Sequence, residues 1–475
     1  MGLMKRPNLV LLLIFLLNLG IRIYLSLKTG SFSSGESYFS LRVIESIFEN
    51  GLPLYHDELS FSGRSYVYMP LFYYIAGIFS LIPLGLKIFL QIIAASLTFI
   101  IYYFSYSITN DKRSSLVATL IGSFIPITYS LTVNQVMPYI LFLPLILIIY
   151  FLIPELDEKK YLNLFIIITL ILVLTDAASF VLLFTLLFYS LFVFLDYFKI
   201  SRLKKEILIF AFFLVLIINF LVFKGVLIDY GLNLTGHNFQ DFNFLEIFYL
   251  IGLPILIFGI SGIYYGLTKY KDEKIFVLIS AILGIMLMIV LKMINIKEGI
   301  GLLSICLAVL AAISIKKTYE YLSMTKFEDV KPVINIFFIL MILILSIIPA
   351  VTSVNYFNEK NLDDLKWARD NVFEKVVMVS PAEEGSLITG IANKTNVIDE
   401  NFLLAPNPDE RLEDIDTAFG TWSESSALRI FKKYNATYIY LSDFGKERYQ
   451  IGRLLYGEDK QCFRRERESI YKVVC

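Results

Sequence analysis

The sequence predicts a polytopic α-helical membrane protein with about eleven spans and a small extracytoplasmic α/β domain at its C-terminal end. Of its 475 residues, 57% are hydrophobic, and the mean hydropathy is +0.69. Apolar runs of membrane length recur between residues 9 and 350, whereas hydrophobicity falls in the tail that follows. The 42 basic residues balance the 42 acidic ones, so net charge gives no support to a nucleic-acid partner.

The spans are predicted from the length of the apolar runs, because a helix needs about 20 apolar residues to cross the hydrocarbon core of a bilayer. The run 161–197 is too long for one crossing and is interrupted at Asp176, so it predicts two spans that meet there. The complete set of predicted spans is 9–27, 86–107, 115–133, 138–153, two within 161–197, 206–223, 247–267, 275–291, 299–315 and 332–350.

A further apolar segment, 66–84, is placed by the distribution of basic residues. If this segment does not cross, the Lys-rich loops fall on the same side as Lys5 and Arg6, as the positive-inside rule prefers. We therefore expect an aromatic helix at the outer interface of a multi-pass plasma-membrane protein whose N-terminus is cytoplasmic. This topology makes 28–85 the first external loop and places the tail, 351–475, outside.

Two domains are expected, a transmembrane domain over 1–350 and a soluble extracytoplasmic α/β domain over 351–475. In the tail, short β-like runs alternate with helical patterns, and 399–422, which contains two prolines, is interpreted as an irregular loop between its halves. Cys462 and Cys475 either pair in an oxidising compartment or remain free thiols.

The first external loop carries candidate catalytic and phosphate-binding groups. Glu36 follows a Ser-Ser-Gly turn and precedes an amphipathic helical pattern. Its carboxylate can accept a proton from an attacking hydroxyl, ligate a divalent cation, or merely cap the helix. Arg42 and Arg64 offer paired donors to a phosphate, although Arg42 can equally form a surface pair with a nearby acid.

Four further residues are candidate substrate contacts. Tyr38 can stack on a sugar ring or anchor the loop at the headgroup level. Asp57 is held near the bilayer by the same external loop. Asp176 can be a ligand or polar contact, or the N-cap of the following span, and His237 in a later external loop is either a base or a solvated residue.

The first external loop also has a characteristic order of motifs. An acidic residue precedes Tyr-Phe-x-Leu-Arg-x-x-Glu, a Gly-Leu-Pro-x-Tyr turn follows at 51–55, and Leu-Ser-Phe-Ser-Gly-Arg at 59–64 leads to Pro-Leu-Phe-Tyr-Tyr. This order resembles the GT-C superfamily, which includes oligosaccharyltransferase catalytic subunits, protein mannosyltransferases and aminoarabinose transferases of lipid A. The resemblance implies that Glu36 is the catalytic carboxylate and that the donor is a sugar on a polyprenyl phosphate or diphosphate.

The tail carries a second similarity. Residues 376–399 resemble the region of archaeal and eukaryotic oligosaccharyltransferases that holds a Trp-Trp-Asp-Tyr-Gly acceptor motif. At the corresponding place this chain reads Pro-Ala-Glu-Glu-Gly, at 381–385, so the motif's glycine alone is present. The Ile, Lys and Tyr richness of the chain and this similarity favour an archaeal source.

Two departures from the GT-C pattern concern the acidic positions. The first-loop acid is Glu36 where Asp is usual, and the second external turn has Asn134 where many relatives place another Asp. Hard cations require several oxygen ligands. No cofactor is therefore assigned, and the alternative is a divalent cation, Mg²⁺ or Mn²⁺, with Glu36 as one of its ligands.

The expected function is that of an inverting hexosyl- or pentosyltransferase of the membrane. It would pass a sugar from a polyprenyl-phosphate-linked donor to an extracytoplasmic protein, lipid or glycan, with no nucleic acid involved. The alternative is a catalytically inactive GT-C-fold scaffold, or a lipid-binding partner of a glycan assembly complex. The sequence has no phosphate-cradling P-loop and no dinucleotide fingerprint, so it does not support a cytoplasmic nucleotide-sugar enzyme.

Overall fold

The computed structural model describes residues 6–235, 244–270, 272–324, 331–373, 375–456 and 462–475. Long helices fill the described part of the chain up to Thr352, and a small mixed sheet flanked by helices follows. The helices of the first part are α1 Pro7–Ser26, α2 Gly35–Asn50, α3 Leu71–Ser80, α4 Gly85–Thr109, α5 Lys112–Ser123, α6 Pro126–Thr132, α7 Tyr139–Leu152, α8 Lys159–Thr175, α9 Phe180–Phe194, α10 Arg202–Tyr230, α11 Phe244–Ile251, α12 Leu253–Tyr265, α13 Glu273–Val290, α14 Ile296–Ser323 and α15 Lys331–Thr352.

Six helices of the described chain are long and apolar enough to cross a membrane, or eight if each of two bent helix pairs forms one span. The α5–α6 pair bends by 48°, and the pair of α11 with α12 bends by 83°. Every predicted span coincides with a helix or, for 115–133 and 247–267, with one of the two bent pairs, but length and composition do not confirm a count of about eleven. The helices share one continuous apolar core, in which α14 packs against α5, α12 and α13.

The predicted interruption at Asp176 is present. α8 ends at Thr175, and Asp176 has an extended backbone, with φ −153° and ψ 146°. Its carboxylate accepts a hydrogen bond of 2.9 Å from the backbone N–H of Ala178, within the short 3₁₀ turn Ala177–Ser179 that precedes α9. Asp176 therefore acts as the N-terminal cap that the sequence allowed as one of its two roles.

The predicted interfacial segment contains the ten-residue helix α3. The end of α3 and the turn that follows it expose large apolar side chains, since Ile78, Leu81, Ile82 and Leu84 are all more than half exposed. Such a face suits the boundary between lipid tails and headgroups.

The tail contains a five-stranded sheet with strand order β4-β3-β5-β7-β6. Strands β3 and β4 and strands β3 and β5 pair in parallel, whereas β7 pairs antiparallel with both β5 and β6. Successive residues of a strand face opposite sides, so Ile439 and Tyr440 enter two different apolar clusters. The elements not yet given are β1 His56–Asp57, β2 Arg64–Ser65, β3 Val377–Val379, β4 Thr395–Asn396, β5 Ala436–Tyr440, β6 Phe463–Arg465, β7 Ile470–Val473, α16 Glu359–Asn371, α17 Gly385–Leu387, α18 Pro408–Gly420, α19 Glu424–Lys433 and α20 Asp443–Arg448.

The interpretation of 399–422 as an irregular loop is wrong, because α18 occupies Pro408–Gly420. Pro408 stands in the first turn, where its missing N–H costs no hydrogen bond and its fixed φ suits the helix. Asp409 and Glu410 add negative charge at the positive end of the helix dipole. Pro408 therefore begins a helix instead of ending one.

The two cysteines of the tail are bonded to each other. Cys462 and Cys475 form a disulfide that closes the C-terminal hairpin of β6 and β7. Of the two alternatives that the sequence left open, the structure has the paired one.

Candidate functional site

A cavity of about 370 Å³ lies where the first external loop, the turn at Asp176, the start of α14 and the tail meet. Tyr66, Tyr68 and Tyr73 supply an aromatic wall, and the tail supplies residues 400–403. The charged residues of its lining are Glu36, Arg64, Asp176, Lys297, Glu298, Glu383 and Glu400.

Glu36 reaches this cavity because α2 begins directly before it. The hydroxyl of Ser34 caps the helix by accepting a hydrogen bond of 3.3 Å from the N–H of Ser37, and Gly51 ends the helix with φ 74°. Glu36 therefore stands in the first turn, where a carboxylate is favoured by the helix dipole. Glu36 can both stabilise the start of the helix and take part in chemistry, because its side chain also lines the cavity.

The carboxyl groups of the cavity influence one another. Burial, and secondarily the charge of Asp176, raises the pKa of Glu36 to about 7. Burial also raises the pKa of Glu400 to about 8, with smaller contributions from the charges of Asp399 and Glu36. Both effects arise because a charged carboxylate is poorly solvated here and repels its neighbours. A carboxyl group with a pKa near neutrality is suited to take up and release a proton.

Glu400 lies close to the start of α2. One of its oxygens would be 2.7 Å from a Cβ atom placed on Gly35, so a side chain at residue 35 would collide with it. The other oxygen is buried and has no hydrogen-bond partner within the described structure. The tail thus places a carboxyl group beside the backbone that carries Glu36.

The two predicted phosphate-binding arginines are both engaged in ion pairs. Arg42 donates hydrogen bonds of 2.6 and 2.7 Å to the two oxygens of Asp57. Arg64 lines the cavity, but it donates to Asp399 at 2.9 and 3.0 Å and to the carbonyl of Asn401. Arg42 and Asp57, both predicted substrate contacts, are therefore paired with each other. A phosphate-binding role for Arg42 or Arg64 stays a prediction.

The remaining predicted contacts are separated. Asp176 lines the cavity, whereas Tyr38, Arg42 and Asp57 are not part of its lining. The hydroxyl of Tyr38 instead accepts a hydrogen bond of 3.3 Å from the N–H of Phe32. His237 lies outside the described residues.

A metal site is not preformed in the described part of the chain. There, no three His, Cys, Asp or Glu side chains stand close enough together to hold a metal ion. Glu36 as a metal ligand remains a prediction.

Three charged residues of the cavity lining, Lys297, Glu298 and Glu400, were not identified from the sequence. Lys297 and Glu298 stand in the first turn of α14, and a charged pair at the start of an apolar helix is a signal that sequence reasoning can use. Glu400 had no such signal, because it reaches the cavity through contacts between the tail and the first loop. Among the described residues, the ammonium of Lys297 makes no salt bridge.

No family model and no curated protein sequence matches this chain. Solved structures do. An oligosaccharyltransferase from Archaeoglobus fulgidus, tethered to an acceptor peptide containing the NVT sequon, matches with a TM-score of 0.66 and 13% identity over 94% of this chain and 70% of that chain. The oligosaccharyltransferase AglB of that organism, in complex with an inhibitory peptide and a dolichol-phosphate, matches with a TM-score of 0.64 and 14% identity, with the same coverage.

A second kind of transferase is also similar. ArnT from Cupriavidus metallidurans, bound to undecaprenyl phosphate, matches with a TM-score of 0.56 and 9% identity over 89% of this chain and 91% of that chain. Both kinds are GT-C glycosyltransferases, and the resemblance seen in the first external loop is thereby confirmed at the level of the fold. The chain has the fold of the GT-C superfamily of membrane glycosyltransferases.

Proposed function

We propose that this chain is a membrane glycosyltransferase that moves a sugar from a polyprenyl-phosphate-linked donor to an extracytoplasmic acceptor. The observation that carries the proposal is the position of Glu36. Its carboxyl group, with a pKa raised to about 7, lines a cavity shared by the external loop, the helical part and the tail. The solved GT-C structures include complexes with dolichol-phosphate, undecaprenyl phosphate and an acceptor peptide.

Glu36 acts as the general base in this proposal. An acceptor hydroxyl or amide attacks the anomeric carbon of the donor sugar while Glu36 takes its proton. The bond between the anomeric carbon and the phosphate oxygen breaks, and the electron pair leaves with the polyprenyl phosphate. Attack from the side opposite the phosphate inverts the anomeric centre.

Lys297 is the residue that we assign to the leaving phosphate. It lines the cavity, and its ammonium makes no salt bridge in the described structure, whereas Arg42 and Arg64 are each neutralised by an aspartate. A cation beside the phosphate stabilises the negative charge that grows there as the bond breaks. Lys297 therefore supplies electrostatic stabilisation, and Glu36 supplies proton transfer.

The tail forms the acceptor side of the cavity. Glu383 and Ser386 line it. Glu383 belongs to 381–385, the stretch that by its resemblance corresponds to the acceptor motif of oligosaccharyltransferases, and Ser386 follows directly. Gly385 between them is required by space, since a Cβ atom there would be 1.9 Å from the carbonyl oxygen of Ile398. The aromatic and aspartate residues of that motif are missing here, so we propose an acceptor other than an Asn-x-Ser/Thr sequon.

The chain is proposed to span the plasma membrane with its N-terminus in the cytoplasm and its tail outside. The disulfide between Cys462 and Cys475 supports this orientation, because such bonds persist in oxidising compartments.

Glycan profiling of the native host tests the proposal. Mass spectrometry of glycolipids and glycoproteins should show one sugar missing in a deletion strain and restored by the wild-type gene. The missing mass identifies the sugar and its acceptor. If deletion changes no glycan, the proposal is wrong. If a variant without Glu36's carboxylate still restores the sugar, the inactive-scaffold alternative is favoured.

A further inference from the structure

The segment 26–37 connects α1 to α2 and carries Glu36 at its end. We propose that Lys87 and Asn134 are positioning residues that clamp this segment and so hold Glu36 in the cavity. The inference rests on the proposed function and deepens it. Neither residue lines the cavity, so their action on the chemistry passes through the segment that they hold.

Lys87 holds the first half of the segment from the start of α4. Its side chain is buried, and its ammonium donates to three carbonyl oxygens, those of Ser26 at 3.1 Å, Thr29 at 2.9 Å and Ser31 at 3.0 Å. No acidic partner of Lys87 occurs among the salt bridges of the described chain. These three hydrogen bonds hold the end of α1 and the residues that follow it around one ammonium group.

Asn134, in the turn after α6, holds residues 29–33 in the middle of the segment. Its side-chain NH₂ donates to Thr29 Oγ1 at 3.2 Å, to the carbonyl of Ser31 at 3.0 Å and to Ser33 Oγ at 2.8 Å. The backbone carbonyl of Asn134 accepts a hydrogen bond of 3.0 Å from the backbone N–H of Ser33. Two residues further along the same turn, the backbone N–H of Val136 donates a hydrogen bond of 2.9 Å to Ser37 Oγ.

Glu36 lies between the two residues of the segment, Ser33 and Ser37, that are hydrogen-bonded to the turn after α6. Ser33 is bonded to Asn134, and Ser37 is bonded to Val136. Between them, Ser34 caps α2, and its hydroxyl also meets that of Ser37 at 2.7 Å. Loosening the clamp therefore shifts the first turn of α2, and a misplacement of about 1 Å at a reacting group can cost about 100-fold in rate.

The clamp requires an amide at residue 134 and is spoiled by a carboxylate. The NH₂ of Asn134 faces three oxygen acceptors, and its Oδ1 is buried without a partner. An aspartate has no N–H to donate to the carbonyl of Ser31, so that hydrogen bond is lost, and its negative charge would compete with the same carbonyl for the ammonium of Lys87. Asn134 has φ 56°, which aspartate also tolerates, so Asn134→Asp changes the side-chain donors with little backbone strain.

The test combines a local structural readout with an activity readout on the full-length protein in lipid nanodiscs. Asn134→Asp is compared with Asn50→Asp, which adds the same charge at an exposed residue at the end of α2. Lys87→Met is the second variant, in case the first does not fold. Amide hydrogen exchange is followed over residues 26–37, and transfer per folded molecule is followed over a dilution series of lipid extract from the host.

The clamp predicts about tenfold faster exchange in this segment for both variants, with exchange in the tail sheet unchanged. It also predicts a 10- to 100-fold fall in apparent kcat, with apparent KM for the lipid donor within about twofold, and wild-type behaviour of Asn50→Asp. Unchanged exchange in either folded variant overturns the clamp. Faster exchange with unchanged kcat overturns its positioning role. If wild-type protein transfers no sugar, the proposed function fails, and the exchange measurement alone decides whether the clamp holds the segment.

Discussion

The guanidinium of Arg64 donates two hydrogen bonds, of 2.9 and 3.0 Å, to the carboxylate of Asp399, although 335 residues separate them in the chain. Both side chains are at most 2% exposed. Ser60 Oγ adds a hydrogen bond of 2.5 Å to the same carboxylate, and the rings of Phe61 and Tyr66 flank the guanidinium. This pair fastens the first external loop to the tail directly beside the tail residues that line the cavity.

Removing one member of this pair should destabilise the protein strongly. Arg64→Met leaves the carboxylate of Asp399 buried without its cation, which typically costs about 3–5 kcal/mol. We expect a large fall in melting temperature in detergent. The matched control is Arg202→Met, which breaks the exposed Arg202–Glu206 pair and should cost less than about 1 kcal/mol. Equal effects of the two substitutions would mean that the buried pair does not fasten the loop to the tail.

A side chain at residue 385 should displace the tail segment that lines the cavity. In Gly385→Ala, the added Cβ atom would be 1.9 Å from the carbonyl oxygen of Ile398, so one backbone must move. We expect a lower melting temperature and at least a tenfold loss of transfer. Gly420→Ala is the control, because nothing lies within 4 Å of a Cβ atom there. A Gly385→Ala protein as stable and active as Gly420→Ala would contradict the close approach.

Lys297→Met should weaken use of the lipid-linked donor. A hydrogen bond to a charged group contributes about 1.5–3 kcal/mol, which corresponds to roughly 10- to 100-fold in transfer efficiency. The efficiency is measured as apparent kcat/KM against lipid extract. Lys292→Met removes an exposed lysine from the turn that precedes α14 and should have little effect. Equal losses in both variants would point to a general attraction of anionic lipid rather than to a contact in the cavity.

The pH dependence of stability should change when Glu400 is neutralised. Its pKa is about 8 in the folded protein, above the ordinary value of 4.5, so the folded state keeps a proton that the unfolded state loses. Its contribution to stability is therefore complete below about pH 4.5 and is lost as pH rises towards about 8. Glu400→Gln should raise the melting temperature at pH 9 relative to the wild type but not at pH 4.

The control for this titration is Glu49→Gln at an exposed position of α2. It should leave the difference between the two pH values as it is in the wild type. A Glu400→Gln protein with the same difference as the wild type would show that folding does not raise the pKa of Glu400.

The sequence predicted those features that depend on local composition. The break at Asp176 followed from a carboxylate within an over-long apolar run, and the helix behind Glu36 followed from its amphipathic pattern. α18 was missed because Pro408 was taken as a helix breaker, although a proline in the first turn of a helix is favourable. Local patterns thus located most helices. The error arose at a proline, which ends a helix when it lies in the interior but favours the helix when it lies in the first turn.

The pairing of charges depended on distant contacts and was not predicted. Arg42 and Arg64 were assigned to phosphate because guanidinium groups suit it, but the fold brings Asp57 and Asp399 to them. Antiparallel pairing of β1 with β2 sets Asp57 opposite Arg64 on the adjoining strand. Such choices of partner are made by tertiary structure, which no local pattern in the sequence encodes.

The measurement that tests the central claim most directly is glycan mass spectrometry of a deletion strain complemented with Glu36→Gln. General base catalysis contributes about 10²- to 10⁴-fold, so Glu36→Gln should restore less than about 1% of the sugar that the wild-type gene restores. Glu45→Gln, which neutralises an exposed acid on the same helix, should restore it fully. Full restoration by Glu36→Gln, at equal protein levels, would contradict the assignment of Glu36 as the catalytic base.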